Sequence, residues 1–396
     1  MSNRKNIMFV EYCADLKAGG AQRVFLNILK SISIEKYNTY AAYPNAENSD
    51  FAAEIPENVT SISYHSRSPD KPRNRLAAYV LFMLFVPFIV LRWCYIIKRK
   101  NIEVVYVHSI ISGFHFGLVK YLTNFALIYH EHNMASQRPA TIFWRLLFEF
   151  VAHRANSIIA ISTDVATDLA IFGAKEERIT VIHNGIELIN ESDCSQLRHK
   201  GMKRLALATK SNPLVVGMIG HFRPWKGQML FIESFQAVLK AKENVHFVIV
   251  GGIHDQAYYQ QVIDYIDENQ LSNRVTITGH QDNVPELIAC FDIVVVPSVP
   301  EPFGLVLLEA MMMRKPVVAF DIGGPAEIVS DGRTGLLVRE IDGQALGHAI
   351  GELAVDADRR DRMGLAGRKL LEQKFTCRIQ CESIERLIDG CFLATK

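Results

Sequence analysis

Residues 292–313, DIVVVPSVPEPFGLVLLEAMMM, decide the fold. The unbroken apolar run Ile293 to Val296 reads as a strand buried on both faces. Pro302 and Gly304 hold a loop, and Leu305 to Met313 reads as an apolar helix opening directly out of it. Strand, loop and helix in that order form the repeating unit of an α/β domain with a parallel sheet. A helix that starts after Gly304 aims its free backbone N–H groups and positive dipole end outward, a seat for an anion such as a diphosphate. Glu301 stands in the loop and Glu309 about one turn inside the helix, so the two carboxylates flank that seat. Alone, such a pair is ordinary solvated charge. Its loop and the motifs elsewhere give it weight.

The same unit recurs along the chain. In the first half NIMFV, TYAAYP, VTSISYH, VVYVHS, FALIYHEH, SIIAIS and ITVIHNG read as strands, with helical stretches at Ala21–Ser31, Ala77–Lys98, Thr141–Arg154 and Thr163–Phe172. The second half restarts with LVVGMIG and continues through VHFVIVGG, RVTITGH, DIVVVPS, PVVAFD and GLLV. A polar stretch with little core character, Ile189–Ser211, reads as a linker. The expected organisation is an N-terminal Rossmann-like domain over 1–190, a linker over 191–211 and a C-terminal Rossmann-like domain over 212–375. Two doubly wound units in tandem imply a cleft, with ligands at the carboxyl ends of the strands.

Composition excludes several classes. At 396 residues the chain exceeds one ordinary core. Lys plus Arg is 43 against 42 Asp plus Glu, so no overall field attracts nucleic acid. Residues 1–190 carry a net +4 and the remainder −3. Basic clusters at Arg73-Asn74-Arg75 and Lys98-Arg99-Lys100 flank the chain's most apolar segment, 76–91. That segment falls short of the roughly 20 residues a spanning helix needs. It reads as a helix buried in its domain or dipped into a membrane interface, and residues 73–100 as a surface for anionic lipid. The seven scattered cysteines form no CxxC pair and fit a reducing cytoplasm.

Further candidate residues sit where strands end. Gly19 and Gly20 follow the first strand and open a helix, but without the Gly-x-Gly-x-x-Gly dinucleotide fingerprint. In GHFRPWKG, Arg223 and Lys226 are spaced to reach one anion and to stabilise charge on a departing diphosphate. No Asp-x-Asp clamp stands at a strand end, so these cations would do that work without Mg²⁺, and neither a cofactor nor a metal is expected. His130 and His132 end FALIYHEHN on one face of a strand, with Glu131 opposite. A histidine there can hydrogen-bond a sugar hydroxyl or handle a proton near neutral pH. The His-x-His spacing fits a metal pair, but the sequence offers no acidic or cysteine partner at convincing spacing, which argues against zinc. His108, ending VVYVH, is a lesser candidate. Ser162 lacks a Gly-x-Ser-x-Gly elbow and reads as a helix cap.

Taken together, GHFRPWKG, EPFGLVLLEAM and GGPAEIVSDGRTGLLV, with AGGAQRV and VIHNGIE upstream, resemble the family 4 retaining glycosyltransferases of GT-B fold over nearly the whole chain. The resemblance implies two Rossmann-like domains facing each other, with a final helix, here 376–396, returning to the first. It implies a nucleotide diphosphate sugar donor on the second domain and a saccharide or lipid-linked saccharide acceptor on the first. By position, Glu301 would contact the donor sugar, Glu309 the ribose, and Arg223 and Lys226 the diphosphate. Amides of Phe303, Gly304 and Leu305, with Gly19 or Gly20, would complete the phosphate seat. His130 would be the N-domain active-site histidine, with His132 and then His108 in reserve. Cell-surface polysaccharide assembly at the inner face of the cell membrane is the expected setting. A nucleotide-sugar epimerase or hydrolase, or a non-catalytic sugar-binding subunit, is the alternative.

Overall fold

A computed structural model describes residues 4–13, 19–44, 51–64, 75–138, 141–207 and 213–394. The chain divides into two units: the chain up to Gly185 together with the helix after Thr376, and Ile186–Thr376.

In the first unit, β1 (Lys5–Val10), β2 (Tyr37–Pro44), β3 (Thr60–Tyr64), β4 (Val104–Val107), β5 (Ala126–Glu131), β6 (Ser157–Ala160) and β7 (Ile179–Val181) form one sheet. Its order is β3-β2-β1-β4-β5-β6-β7, with every pairing parallel. The helices are α1 (Gly20–Ser31), α2 (Arg75–Lys100), α3 (Ile110–Val119), α4 (Ile142–Arg154), α5 (Thr163–Ile171) and, from the far end of the chain, α15 (Cys377–Ala394). Strands β4 and β5 are buried at every residue, so their side chains are covered on both faces. That cover explains why they read as continuous apolar runs rather than alternating ones.

The second unit opens with α6 (Glu191–Arg204) and carries β8 (Leu214–Ile219), β9 (Val245–Val250), β10 (Val275–Ile277), β11 (Ile293–Val296), β12 (Val317–Phe320) and β13 (Gly335–Val338). They too are all parallel, in the order β10-β9-β8-β11-β12-β13. Its other helices are α7 (Gln228–Glu233), α8 (Phe235–Ala241), α9 (Gln256–Glu268), α10 (Val284–Cys290), α11 (Leu305–Met312), α12 (Gly324–Ile328), α13 (Gly343–Val355) and α14 (Ala357–Lys374). Phe231, Phe235 and Phe247 are central to its core, with the last two rings stacked at 3.6 Å.

The expected linker is corrected. Most of it is α6, which packs on α10 within the second unit, and the division falls at Gly185. Polar contacts hold the helix. Arg198 donates to the carbonyls of Ala289 and Cys290 at 3.3 and 3.0 Å and pairs with Asp292 at 3.1 Å. A Cβ on Gly201 would stand 2.1 Å from the carbonyl oxygen of Glu286, so only glycine permits this approach. Among the described residues only Met202 and, at its end, Leu205 are buried apolar residues here, so a helix docked largely by charge and glycine is concealed in composition.

Helix α2 buries Val86, Val90, Trp93, Cys94 and Ile97 and turns Leu84, Phe88, Leu91 and Tyr95 outward, each at least 60% exposed. Among the described residues no helix is long and apolar enough to cross a membrane. Arg73 and Asn74 of the expected basic cluster lie outside the described residues.

Candidate functional site

In the second unit the sheet order reverses between β8 and β11, and the loops at the carboxyl ends of these strands converge there. After β8 the chain turns through His221 and Phe222 into a short 3₁₀ turn, Pro224–Lys226. Gln228, fully buried, donates to the carbonyls of Gly220 and His221 at 3.1 and 3.0 Å and fixes that turn. Gly227 follows in the left-handed region, φ 75°, where a Cβ would stand 2.0 Å from the Pro297 carbonyl oxygen. The Val299 amide donates to Trp225 O at 2.7 Å, and the Gly324 amide to Glu301 O at 2.9 Å. The loops after β8, β11 and β12 are thus joined by backbone hydrogen bonds.

This knitting brings Lys226 and Glu301 together from 75 residues apart, with Nζ 2.7 Å from Glu301 Oε2. Glu301 is 7% exposed, and the Lys226 ammonium also lies 4.2 Å from the Trp225 ring centroid. The ammonium thus has a carboxylate and an aromatic face as neighbours. Gly304, φ 95°, ends the loop as N-cap of α11 with no capping side chain, so the helix start is built from backbone alone. Phe303 is buried, and Leu305 and Glu309 are half-buried on α11.

The expectation that Arg223 and Lys226 reach out together needs adjustment. Lys226 turns to Glu301, whereas Arg223 Nη2 lies 3.0 Å from His254 Nδ1 on the exposed side. Burial and the neighbouring histidines push His221 down to about 4, so it is neutral at pH 7. His254 and Gln228 escaped the sequence reading. Their contacts arise from loop packing and not from motif spacing.

In the first unit the sheet order reverses between β1 and β4. Gly19 caps α1 and Gly20 opens it, again with no side-chain cap. Glu11 follows β1 and is 3% exposed; its Oε1 accepts from the amides of Tyr12 and Cys13 at 2.8 and 3.1 Å, and the Gln22 side chain is a further hydrogen-bonding neighbour of the carboxyl. Desolvation, partly offset by those amides, raises its pKa to about 7. In the sequence it is only an acidic residue directly after the apolar run NIMFV, with no motif around it to mark its burial.

His130 is 0% exposed, with Nδ1 2.9 Å from the Tyr106 hydroxyl. Burial, with His132 and His108 adding to it, lowers its pKa well below the usual value, so it does not take up a proton near neutral pH. This corrects the expected cleft-facing acid–base. His132 is 9% exposed, is held down to about 3 by burial, and bonds through Nε2 to His108 Nδ1 at 2.8 Å. All three candidates therefore meet in one cluster. Glu131 turns aside to Arg138 and Tyr129. Ser162 caps α5, its Oγ accepting from the Val165 amide at 3.2 Å.

Comparison with known proteins matches residues 202–370 to the profile described as Glycosyl transferases group 1 and residues 18–189 to that of Glycosyltransferase Family 4. The chain is 29% identical over 245 residues to an alpha-D-kanosaminyltransferase of Streptomyces kanamyceticus, covering 59% of this chain and 62% of that protein. It is 29% identical over 239 residues to the capsular polysaccharide biosynthesis glycosyltransferase CapM of Staphylococcus aureus, covering 59% and 61%. The matched stretches thus span about three fifths of these relatives. HepE of Anabaena, crystallised with UDP and glucose, superposes with a TM-score of 0.76 at 23% identity over 97% of this chain and 99% of that one. A glycosyltransferase of Rickettsia africae superposes at 0.81 with 20% identity, covering 98% and 99%. Two parallel α/β units of GT-B architecture and these two profile matches place the chain in the group 1, family 4 glycosyltransferases.

Proposed function

We propose that the chain transfers a sugar, with retention of anomeric configuration, from a nucleoside diphosphate sugar to a saccharide or lipid-linked saccharide acceptor. The observation that carries this reading is the Lys226–Glu301 pair beside the bare N-terminus of α11. The donor diphosphate would sit on the first amides of α11, from Phe303, Gly304 and Leu305. One Lys226 N–H stays with Glu301 Oε2 while the others turn to phosphate oxygens. Arg223 adds its fork from the exposed side. Glu301 then offers its second oxygen to the sugar hydroxyls, and Glu309 receives the ribose diol. HepE, crystallised with UDP-glucose, has the same fold and supports the donor class.

In the transfer the bond between the anomeric carbon and the phosphate oxygen breaks, its electron pair leaving with the diphosphate. The acceptor oxygen attacks from the same face and gives its proton to that phosphate oxygen. The charge developing on the leaving group meets cations and amides already in place, so this step calls on no metal or cofactor. His132, less buried than His130, is the better placed of the N-domain histidines for an acceptor hydroxyl. The outward face of α2, with Arg92 and Lys98-Arg99-Lys100, would seat the enzyme on anionic lipid at the cytoplasmic face of the membrane. Cell-surface polysaccharide assembly suits such a position.

The test is donor binding by calorimetry over a panel of nucleotide sugars, followed by product analysis with candidate acceptors. Glu301→Gln and Lys226→Ala are expected to cut transfer by at least about 10²-fold, the scale of losing one electrostatic contact to the leaving group. Circular dichroism should show both variants still folded. Full activity in either variant, or release of free or isomerised sugar in place of a linked product, would contradict the assignment.

A further inference from the structure

Strands β4 and β5 are adjacent and parallel, with Val107 abreast of Tyr129, so His108 and His130 follow side by side. His132 comes two residues later. The three rings pack with centroids 5.2, 4.8 and 4.1 Å apart, and their candidate ligand atoms all lie within 4.8 Å of one another. They are 8%, 0% and 9% exposed. Among the described residues, Nε2 of His108 and Nε2 of His130 are buried with no hydrogen-bond partner. A buried polar atom left unpaired is costly, and two on adjoining rings of one cluster call for a common explanation.

From this geometry we infer that His108, His130 and His132 form a binding site for a borderline divalent ion of the zinc class. Three imidazoles without a carboxylate or thiolate select Zn²⁺, Co²⁺, Ni²⁺ or Cu²⁺ over Mg²⁺ and Ca²⁺. Tyr106 supplies the outer contact such sites use: when His130 Nδ1–H donates to its hydroxyl, Nε2 keeps a lone pair for the ion. When His108 Nδ1–H donates to His132 Nε2, His108 Nε2 is likewise left as a lone pair. The ion takes the third nitrogen by displacing that His108–His132 bond. Around a tetrahedral ion with Zn–N bonds of 2.0–2.1 Å the nitrogens would stand about 3.4 Å apart, against the 4.8 Å within which one candidate ligand atom of each ring already lies. Glu11, abreast of His108 by the register of β1 on β4, places a buried carboxyl on the neighbouring strand end. The linear sequence showed only His-x-His; the third ligand arrives through strand pairing.

This site goes beyond the transfer proposed above, and binding can be read with no donor or acceptor present. The full chain, stripped with chelator, is titrated with Zn²⁺ against a chromophoric competitor and with Co²⁺ by visible absorption. One ion per chain is expected, with the intense d–d bands of a low-coordinate cobalt site. His108→Asn and His132→Asn should each weaken binding by at least about tenfold, and His130→Gln similarly. His153→Gln, an exposed histidine on α4, should change nothing. Thermal melts of the chelated proteins check the fold, and His132→Asn, at the more open edge, serves if the deeper variants fail to fold. Weak binding of only an adventitious kind overturns the site. So does zinc retained by the His108 and His132 variants but lost on His221→Asn, which would move it to the His221–His254–His280 group of the second unit.

Discussion

Glu11 shows how one residue's surroundings become a property of the whole protein. Its pKa rises from 4.5 to about 7 because burial removes solvent from the carboxylate faster than two amides can replace it. Between those values the folded chain keeps a proton that the unfolded chain has released. Stability is therefore greatest below about 4.5 on this account, and declines as pH rises through 7. The drop is at most about 3 kcal/mol. Glu11→Gln keeps an acceptor for the Tyr12 and Cys13 amides without the charge. Its stability should exceed that of the wild type at pH 8 by about 1–3 kcal/mol and match it at about pH 4, below the ordinary carboxyl value, in urea unfolding with chelator present. Parallel pH profiles for the two proteins would show that the carboxyl is not desolvated as described. The buried histidines act on the opposite limb. His115, pushed down to about 4 by burial, favours the folded state above 6.5 and withdraws that support as the solution turns acid. It is shared by both proteins and cancels in the comparison.

At the scale of elements, legibility followed the source of each element's stability. The strands were legible because a parallel strand covered on both faces must be an apolar run, and such runs between glycines and prolines are visible without coordinates. The EPFGLVLLEAM helix start was legible for the same reason. Helix α6 was not, since Arg198, Gly201 and Asp292 dock it through charge and close backbone approach. The Lys226–Glu301 pair and the three histidines were legible only as residue types at strand ends. Their meetings depend on loop hydrogen bonds and strand register, which no local pattern encodes. Helix α2 is the reverse case, an apolar segment whose buried half the fold accounts for while Leu84, Phe88, Leu91 and Tyr95 stay outside. If that face seats on lipid, Phe88→Glu with Leu91→Glu should abolish flotation with anionic vesicles. Stability should move by no more than about 0.5 kcal/mol per site, because neither side chain is packed. Unchanged flotation, or an equal preference for neutral vesicles in the wild type, would remove the membrane from the proposal.

At the scale of the molecule the chain leaves its first unit at Gly185 and returns at Cys377, so that unit is completed only by the last helix. Cys377, Cys381, Ile384, Ile388 and Cys391 recur at alternating spacings of four and three and form the buried stripe of α15, which packs on α1. Polar contacts fix its register. Glu385 accepts from the Ser33 amide at 2.8 Å and pairs with Lys36 at 2.7 Å; Asp389 takes Lys5 and Tyr37 at 3.1 Å each. Gln380 receives the Gly185 amide at 2.9 Å, just where the chain departs. The second unit holds Lys226, Glu301 and α11 around a separate core. Damage to α15 should therefore separate folding of the first unit from donor binding by the second. Ile388→Ala, at a fully buried position, is expected to cost about 2–5 kcal/mol in the unfolding of the first unit. Below its lowered midpoint, the calorimetric affinity for a nucleotide sugar should be unchanged within about twofold, a difference of about 0.4 kcal/mol. Ending the chain after Thr376 should have the larger effect, exposing the buried face of α1 and bringing aggregation or dye binding to apolar surface. A truncated chain that stayed monomeric and unfolded at the wild-type midpoint would mean that α15 contributes little to the first unit's stability.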